Sequence, residues 1–421
     1  MQDAAPTLGQ ATRVWARIAL HSFGGPAAQI AVMHRVLVDE LKWIGERRFL
    51  GALNYCMLLP GPEAQQLVTY LGWILHGWRG GMLAGGLFVL PGFVTLGALS
   101  MLYVAGQQLP LLTAAMGAVK VAIIAIVVEA MLRVAKRALK HNVDRALAVV
   151  SCAALLLDVP FPAVLLAAGL FGYFRPARNA GSDEPDDALI DHILARTKPA
   201  RLEPNVRRAF ATAALWLSLW WAPVLAVLLL LGPENVFSRV ALFFSGAAMV
   251  TFGGAYSVLA YVAQEAVETW HWLAPGEMLD GLALAETTPG PLIQVVQFVG
   301  FLATYRDPGT LPPWLAGLLG SLLTCWVTFV PSLLWIFVGA PWIESARRNE
   351  RWQGALRGIS AAVVGVIANL ALWSAWHTVH SWVDAVVLAA ALLATFRFHV
   401  GMFSMLGGAA VFGMIRYGLG L

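Results

Sequence analysis

Two short motifs interrupt apolar segments that are otherwise suited to a membrane: Phe-Gly-Gly-Pro at 23–26 and Pro-Gly-Pro-Glu at 60–63. Glycine adopts positive φ without steric cost and proline favours the first position of a helix, so each motif predicts a broken helix. A restarted helix presents free backbone N–H groups and the positive end of its dipole. Because such an end binds anions, we predict an oxyanion site at these breaks.

Polar side chains flank the breaks in both halves of the chain. Glutamine amides and hydroxyl groups can donate hydrogen bonds to an oxyanion that must also leave again. The candidate substrate-binding residues are Ser22, Phe23, Gly24, Gly25, Pro26, Gln29, Pro60, Gly61, Pro62, Glu63, Gln65, Gln66, Lys120, Thr251, Gly253, Gly254, Thr288, Gly290 and Gln294. Arg17 and His21 precede the first motif and could attract an anion toward it, or Arg17 could anchor the chain at the membrane surface.

Two charged residues lie within apolar segments, and each has two interpretations. Glu63 follows Pro62 and either moves protons during transport or caps the helix or pairs with a cation. Lys120 either faces the substrate or pairs with a carboxylate, because an unpartnered lysine in a membrane is costly. The glycines and prolines could also serve only as kinks and packing points. We favour a binding site because the motifs occur twice.

The chain contains an internal repeat. The segment SFGGP at 22–26 aligns with TFGGA at 251–255, and LPGPEAQQL at 59–67 aligns with TPGPLIQVV at 288–296. Both alignments have an offset of 229 residues. Further pairs at this or a slightly larger offset are Trp43 with Trp272, Pro91 with Pro331, and Gly117 with Gly358. The duplication therefore covers most of the chain.

The composition indicates an all-α polytopic membrane protein, since 59% of the 421 residues are hydrophobic, 12% are charged, and the mean hydropathy is +0.70. A bilayer core needs about 20 apolar residues per helix, which predicts about 13 transmembrane helices. They lie near 13–38, 48–77, 80–106, 112–138, 143–158, 160–175, 208–231, 238–262, 275–305, 312–340, 355–378, 382–396 and 399–418. The three cysteines lack metal or redox spacing and are predicted to be buried free thiols.

Four regions follow from these spans. We predict an N-terminal transmembrane repeat at 1–175, a cytoplasmic loop at 176–207, a connecting transmembrane helix at 208–231, and a C-terminal inverted repeat at 232–421. Six spans plus one connecting span would insert the second repeat upside down, as in many secondary transporters. The N-terminus is predicted to be cytoplasmic and the C-terminus periplasmic, because 20 of the 28 Lys and Arg residues then face the cytoplasm.

No motif for a hydrolase, a nucleotide-binding loop or a metal site occurs in the sequence, so we predict no catalytic residues, no metal and no cofactor. The expected partners are a small oxyanion and membrane lipid, without nucleic acid. A homodimer is one arrangement that the sequence leaves open.

The FGGP turn followed by LPGPEAQQL, and their repetition as FGG and TPGP, resembles the chromate ion transporter (CHR) family in its long, two-domain form. The resemblance runs from about Arg13 to the C-terminus. It implies a bacterial inner-membrane protein that exports chromate and confers chromate resistance, with sulfate as the natural structural analogue of chromate. The second half has Ala255 in place of Pro26 and Leu292 in place of Glu63, so the two halves need not bind substrate equally.

Three other functions fit parts of the sequence. One is proton-coupled uptake of sulfate or a similar oxyanion, for which Glu63 would be required. Another is an anion channel, which would differ from a carrier in showing no saturation of flux. The third is an intramembrane enzyme, against which the absence of catalytic and cofactor motifs counts.

Overall fold

The computed structural model describes residues 6–57, 59–106, 109–175, 205–252, 255–274, 276–342 and 350–419, and every regular element in these ranges is helical. The all-α class predicted from composition is therefore confirmed for this part of the chain. The loop predicted at 176–207 lies almost wholly outside the described residues, as do the candidate site residues Gly253 and Gly254.

The first half begins with two short helices and a third that precedes the Pro-Gly-Pro break. The helices described in this half are α1 (Leu8–Leu20), α2 (Gly25–His34), α3 (Glu46–Cys56), α4 (Glu63–Gly106), α5 (Pro110–Ala138), α6 (Asn142–Leu156) and α7 (Phe161–Tyr173). A π-helical turn, Arg35–Glu40, continues α2. Within α4 the backbone leaves the helical region at His76 and Gly77, so α4 consists of two segments.

The connecting helix α8 (Val206–Leu231) leads into the second half. The helices described there are α9 (Val236–Met249), α10 (Ala255–Gln264), α11 (Glu277–Glu286), α12 (Val295–Arg306), α13 (Pro313–Gly339), α14 (Glu350–Thr378), α15 (Trp382–Phe396) and α16 (Met402–Gly418). A π-helical turn, Glu265–Thr269, follows α10, and a 3-10 turn, Leu292–Gln294, precedes α12. The order of elements thus reproduces the first half.

Unusual backbone conformations recur in the register of the repeat. All non-glycine residues with positive φ in the described ranges form two pairs, Lys42 (51°) with His271 (53°) and Asp158 (59°) with His399 (51°). Their offsets are 229 and 241 residues. Such conformations are uncommon outside glycine, so their recurrence in one register supports a duplication at the level of the backbone.

Helix starts repeat in the same way. Asp144 accepts a hydrogen bond from the backbone N–H of His141 at 3.0 Å, at the start of α6. At the start of α15, Asp384 accepts from the N–H of Ser381 at the same distance and donates its own N–H to the Ser381 hydroxyl. Both pairs satisfy N–H groups that the first turn of a helix leaves unbonded.

In the part of the chain that the structure describes, five helices are long and apolar enough to cross a membrane: Glu63–Gly106, Pro110–Ala138, Val206–Leu231, Pro313–Trp342 and Gln353–Thr378. They correspond to the predicted spans near 80–106, 112–138, 208–231, 312–340 and 355–378. Other apolar helices have 10–17 residues and include α7, α9 and α15. At 1.5 Å per residue these are shorter than the roughly 30 Å of a hydrocarbon core. The multi-pass membrane class is supported, whereas thirteen crossings stay a prediction.

Two of the predicted spans are wrong as single crossings, because residues expected at their opposite ends are in contact. Arg306 at the end of α12 forms a bidentate ion pair with Glu277 at the start of α11, with N–O distances of 2.7 and 2.8 Å. The segment 275–305 therefore folds back on itself at its break. In the first half, Arg17 contacts Glu40 at 3.1 Å, although the predicted span 13–38 would separate them.

The two halves pack together through equivalent contacts: a long helix of each half packs against the last two helices of the other half. Helix α5 packs against α15 and α16 of the second half, and its counterpart α14 packs against α6 and α7 of the first half. Helices α5 and α14 also pack against each other and run antiparallel. Residues 130–138 of α5 share a cavity with residues 353–367 of α14, and residues 114–120 share another with 377–378.

Candidate functional site: a basic cavity at the broken helices

A cavity of about 650 Å³ lies where the beginnings of α2 and α4 meet the C-terminal end of α5 and the N-terminal part of α14. We call it the basic cavity. Among the described residues its lining has four cationic side chains, Arg133, Arg137, Lys140 and Arg357, and a single carboxylate, Glu63. This cationic excess raises the local concentration of a small anion.

Helical spacing and one contact between the halves position the cations. Arg133 and Arg137 are four residues apart and therefore lie on one face of α5. Arg133 donates to Glu129 at 2.5 Å, whereas Arg137 has no ion-pair partner among the described residues. Arg357 reaches the cavity from α14 and bonds to Asp144 of the first half, with Nη2 and Oδ2 2.7 Å apart. An anion can thus contact Arg137 without breaking an ion pair between described residues.

The two motifs predicted from sequence form the inner wall of the basic cavity. Gly25, Pro26 and Glu63 all line it, and Glu63, the first residue of α4, is only 9% exposed. Tyr256 of α10 completes this wall, and its hydroxyl donates to the buried carboxylate of Glu286. Helices α2 and α4 both begin at the wall, so their first-turn N–H groups are close to the cavity.

The motif glycines have the backbone conformation that the sequence predicts. The φ angles are 70° at Gly24, 62° at Gly25, 124° at Gly61 and 109° at Gly290. Residues with a Cβ rarely adopt these angles. The helix breaks at both motifs are therefore confirmed where the structure describes them.

Each Pro-Gly-Pro turn is bonded to the residue that precedes the Phe-Gly-Gly motif of the opposite half. The N–H of Gly61 donates to the Thr251 carbonyl at 2.8 Å, and the N–H of Gly290 donates to the Ser22 carbonyl at 2.9 Å. Gln29 adds a donor bond from Nε2 to the Gly290 carbonyl at 2.6 Å. These N–H groups are engaged by protein in this conformation, so their role as anion ligands stays a prediction.

The other predicted glutamines also donate their amide protons to protein atoms. The donor–acceptor distances are 2.8 Å from Gln66 Nε2 to Pro60 O, 3.3 Å from Gln65 Nε2 to Thr69 Oγ1, and 3.3 Å from Gln294 Nε2 to Val89 O. The predicted hydroxyls donate to the last turn of the preceding helix, from Ser22 to Ile18 O, from Thr251 to Ala247 O and from Thr288 to Ala285 O. In this conformation these hydrogen bonds stabilise the helix breaks.

Lys120 lies apart from the basic cavity. Its Nζ is 2.9 Å from Oδ2 of Asp280, a residue of α11 that is 1% exposed. Along α5 it precedes Arg133 by 13 residues, or about 20 Å. The interpretation of Lys120 as the partner of a carboxylate therefore has direct support, and the structure does not bring it to the motif residues around Glu63.

Arg17, His21 and Phe23 also lie outside the lining of the basic cavity. The Arg17 side chain is 54% exposed and paired with Glu40. The His21 ring bonds to the Arg17 carbonyl at 2.8 Å. The Phe23 ring packs edge-on against Phe403 of α16, with centroids 5.8 Å apart. Their predicted contribution to anion access or binding stays a prediction.

Sequence reasoning missed the cations of the basic cavity, because it assigned them to the general positive charge of the cytoplasmic side. The signal available was the spacing along α5. Small or apolar residues at Ala130, Val134 and Ala138 lie on the same helix face as Arg133 and Arg137. A face that carries both small residues and cations at the end of an apolar helix can border a polar cavity.

Long apolar helices that enclose a cationic cavity define a multi-pass membrane protein with a site suited to an anion. Comparison with known proteins identifies the particular group: the chain belongs to the chromate transporter family, whose sequence pattern matches residues 9–173 and 238–414. The two matched segments coincide with the two repeats. The resemblance predicted from the motifs is therefore confirmed.

Several relatives extend over most of the chain. A chromate transport protein of Pseudomonas aeruginosa is 34% identical over 357 residues, covering 83% of this chain and 77% of its own length. A chromate transport protein of Cupriavidus metallidurans is 26% identical and covers 98% and 94%. A probable chromate transport protein of Synechococcus elongatus is 25% identical and covers 93% and 91%. No solved structure shows a significant match. These relatives are transporters rather than enzymes.

Proposed function

We propose that this protein exports chromate across the bacterial inner membrane and thereby confers chromate resistance. The observation that carries the proposal is the basic cavity, in which four cations surround a path to the broken helices. A tetrahedral dianion would be attracted by Arg137 and its neighbours and held at the first-turn N–H groups of α2 and α4. Sulfate has the same shape and charge and is the expected competitor.

The membrane potential favours this direction of transport. Moving one elementary charge across 100 mV is worth about 2.3 kcal/mol, so a dianion leaving an inside-negative cell gains about twice that amount. A gain of this size sustains a gradient of about a thousandfold, because about 1.4 kcal/mol corresponds to a factor of ten. Export therefore needs no second driving ion.

We also propose that the repeats are inverted relative to each other, with the N-terminus in the cytoplasm and the C-terminus in the periplasm. The antiparallel packing of α5 and α14 supports this arrangement, because repeats related by an axis in the membrane plane place corresponding helices in opposite directions. In this arrangement the five long apolar helices of the described residues each cross the bilayer and the shorter helices turn back inside it, which would put the termini on opposite sides. The basic cavity then opens to the cytoplasm, as the positive-inside rule requires.

Chromate uptake into inverted membrane vesicles tests the proposal. With a potential positive inside the vesicle, we expect saturable uptake of radiolabelled chromate that sulfate inhibits. The Arg137→Gln variant should lower the apparent affinity by about tenfold, because a cation close to the anion is lost. Arg145→Gln is the matched control, since Arg145 is exposed and lies outside the lining of the basic cavity. Uptake that is unsaturable, or equal losses in both variants, would contradict the proposal.

A second candidate is proton-coupled uptake of sulfate or another oxyanion. The specific observation in its favour is Glu63, a buried carboxylate at the wall of the basic cavity. A carboxylate that is protonated together with the anion would offset one of its charges. Uptake of radiolabelled sulfate by right-side-out vesicles, driven by an acidic exterior without a potential, would favour this candidate over export.

A further inference from the structure

A second cavity, of about 460 Å³, lies at the end of the molecule opposite the basic cavity. It is lined by the N-terminal part of α5, the C-terminal parts of α14 and α16, and the start of α15. Its ionisable lining residues are Lys120, His377, His380, Asp384, Arg416 and Tyr417. We call it the outer vestibule. Along α5, residue 117 is separated from residue 134 by 17 positions, or about 25 Å, which is close to the thickness of a hydrocarbon core.

The repeat register relates the outer vestibule to the basic cavity. Thr378 and His380 of the vestibule correspond to Arg137 and Lys140 of the basic cavity, at offsets of 241 and 240 residues. A buried apolar stretch of α5, residues 121–127, separates the two cavities. The molecule thus has two related openings. Two positions that hold arginine and lysine in the basic cavity hold threonine and histidine in the outer vestibule.

Lys120 is also a cation of the outer vestibule. Its position in the repeat differs from the positions of the basic-cavity cations. Its side chain is 24% exposed, and its Nζ bonds to Asp280 Oδ2 at 2.9 Å. It lies against the N-terminal end of α11, since a Cβ on Gly276 would be 3.5 Å from Nζ. An ammonium group has three donors, so the bond to Asp280 leaves further donors for a ligand.

The carboxylate of Asp280 is bonded on one side only. Oδ2 accepts from Lys120 and also from the Tyr103 hydroxyl at 2.8 Å. Oδ1 is buried and has no hydrogen-bond partner among the described residues. A buried pair that served only stability would gain by using both oxygens, because an unsatisfied buried acceptor is costly.

The other charges near Asp280 are already balanced. Glu277, on the same helix, is held by both Nη atoms of Arg306 and lies 3.3 Å from the Tyr103 hydroxyl. Lys120 is thus the cation that balances Asp280. When an anion binds to Lys120, it competes directly with this one carboxylate.

We propose that the outer vestibule binds the transported oxyanion at Lys120 and that Asp280 then displaces the anion at release. The inference depends on the function proposed above. In the basic cavity, Arg137 has no ion-pair partner among the described residues, and Glu63 is the one carboxylate of the lining. Of the cations that line the outer vestibule, Lys120 bonds to the buried Asp280, and Arg416 bonds to Asp384 at 3.2 Å. Capture is thus favoured at one end and release at the other.

Equilibrium binding of radiolabelled chromate to the purified full-length protein tests this site. The measurement is made in the Arg137→Gln background, which weakens the basic cavity. Asp280→Asn removes the competitor, so we expect affinity to rise by about tenfold and maximal efflux in inverted vesicles to fall. Lys120→Met should lower affinity by at least about fivefold. Changes in opposite directions are what a displaceable counter-ion requires.

The double variant Lys120→Met/Asp280→Asn keeps the test decisive. It leaves no unpaired buried charge, so it should fold even where Asp280→Asn does not. We expect it to bind chromate as weakly as Lys120→Met. Wild-type affinity and efflux in the double variant would show a purely structural pair and overturn the inference. A wild-type protein that moves no chromate would instead refute the proposed function itself.

Discussion

The backbone N–H of Gly61 donates to the carbonyl of Thr251 at 2.8 Å, and the repeat register reproduces this bond between Gly290 and Ser22 at 2.9 Å. Each central turn of one half is thus closed by the other half. The contact is also tight, since a Cβ on Gly61 would lie 2.5 Å from the Ser332 hydroxyl oxygen. Any movement of one half relative to the other must therefore change the geometry of both breaks.

Replacing Gly61 by alanine should reduce chromate transport by at least about tenfold while the protein still inserts in the membrane. The φ of 124° disfavours a residue with a Cβ, and the clash with Ser332 would shift the turn. Initial rates in inverted vesicles, normalised to the amount of inserted protein, provide the measurement. Gly86→Ala is the matched control, because a Cβ there meets nothing within 4 Å. Equal rates in both variants would show that the break is only a packing feature.

Cysteines placed at Lys42 and at His271 should react with membrane-impermeant thiol reagents from opposite sides. These two residues have matching positive φ and occupy equivalent turns of the repeats. The turn at His271 lies beside Arg306, since the Trp272 carbonyl accepts from Arg306 at 2.8 Å. If the chain turns back at each break, Lys42→Cys should label from the cytoplasm and His271→Cys from the periplasm. The single-crossing interpretation of 13–38 predicts the reverse, so labelling decides between them in a background without the native cysteines.

Changing Glu63 to glutamine should preserve chromate efflux and raise the affinity for chromate. Glutamine keeps the hydrogen-bonding shape and removes a negative charge from the wall of the basic cavity, where it would repel a dianion. Flux measured over a range of pH separates the alternatives. Loss of pH-dependent flux with retained binding would assign Glu63 to proton coupling. A variant identical to wild type in affinity, rate and pH profile would leave Glu63 as a helix cap.

Replacing Gln29 by methionine should destabilise the protein by about 1–3 kcal/mol, because the buried Gly290 carbonyl would lose its amide donor. Methionine retains much of the side-chain volume, and it also removes Gln29 Oε1, a buried acceptor without a hydrogen-bond partner among the described residues, so the measured change is the net of both effects. A melting temperature lowered by a few degrees in detergent is the expected readout. An unchanged melting temperature would indicate that the Gly290 carbonyl is satisfied in another way.

The sequence was sufficient to predict the helical class, the repeat, the family and the breaks, because each leaves a local signal. The positive φ of Gly25 and Gly61 follows from residue type, and the common offset of the motifs follows from duplication. The long helices α5, α8 and α14 follow from the length of apolar segments. These features depend on neighbours in sequence.

The path of the chain through the bundle could not be predicted in the same way. A hydropathy window treats a broken segment such as 275–305 as one crossing, because it records apolarity but not direction. The ion pair between Glu277 and Arg306 reveals the reversal only in three dimensions. Likewise, the basic cavity depends on how α5 meets α14, and neither helix shows from its sequence alone which partner it packs against.

The bonds between the breaks also affect how the protein is made. Thr251, which accepts the hydrogen bond of Gly61, is synthesised 190 residues later. At about 5–20 residues per second, the first central turn waits roughly 10–40 seconds for its partner during translation. During that interval the N-terminal half lies in the membrane without the hydrogen bond that closes its Pro-Gly-Pro turn. The two halves therefore complete their folding together rather than in succession.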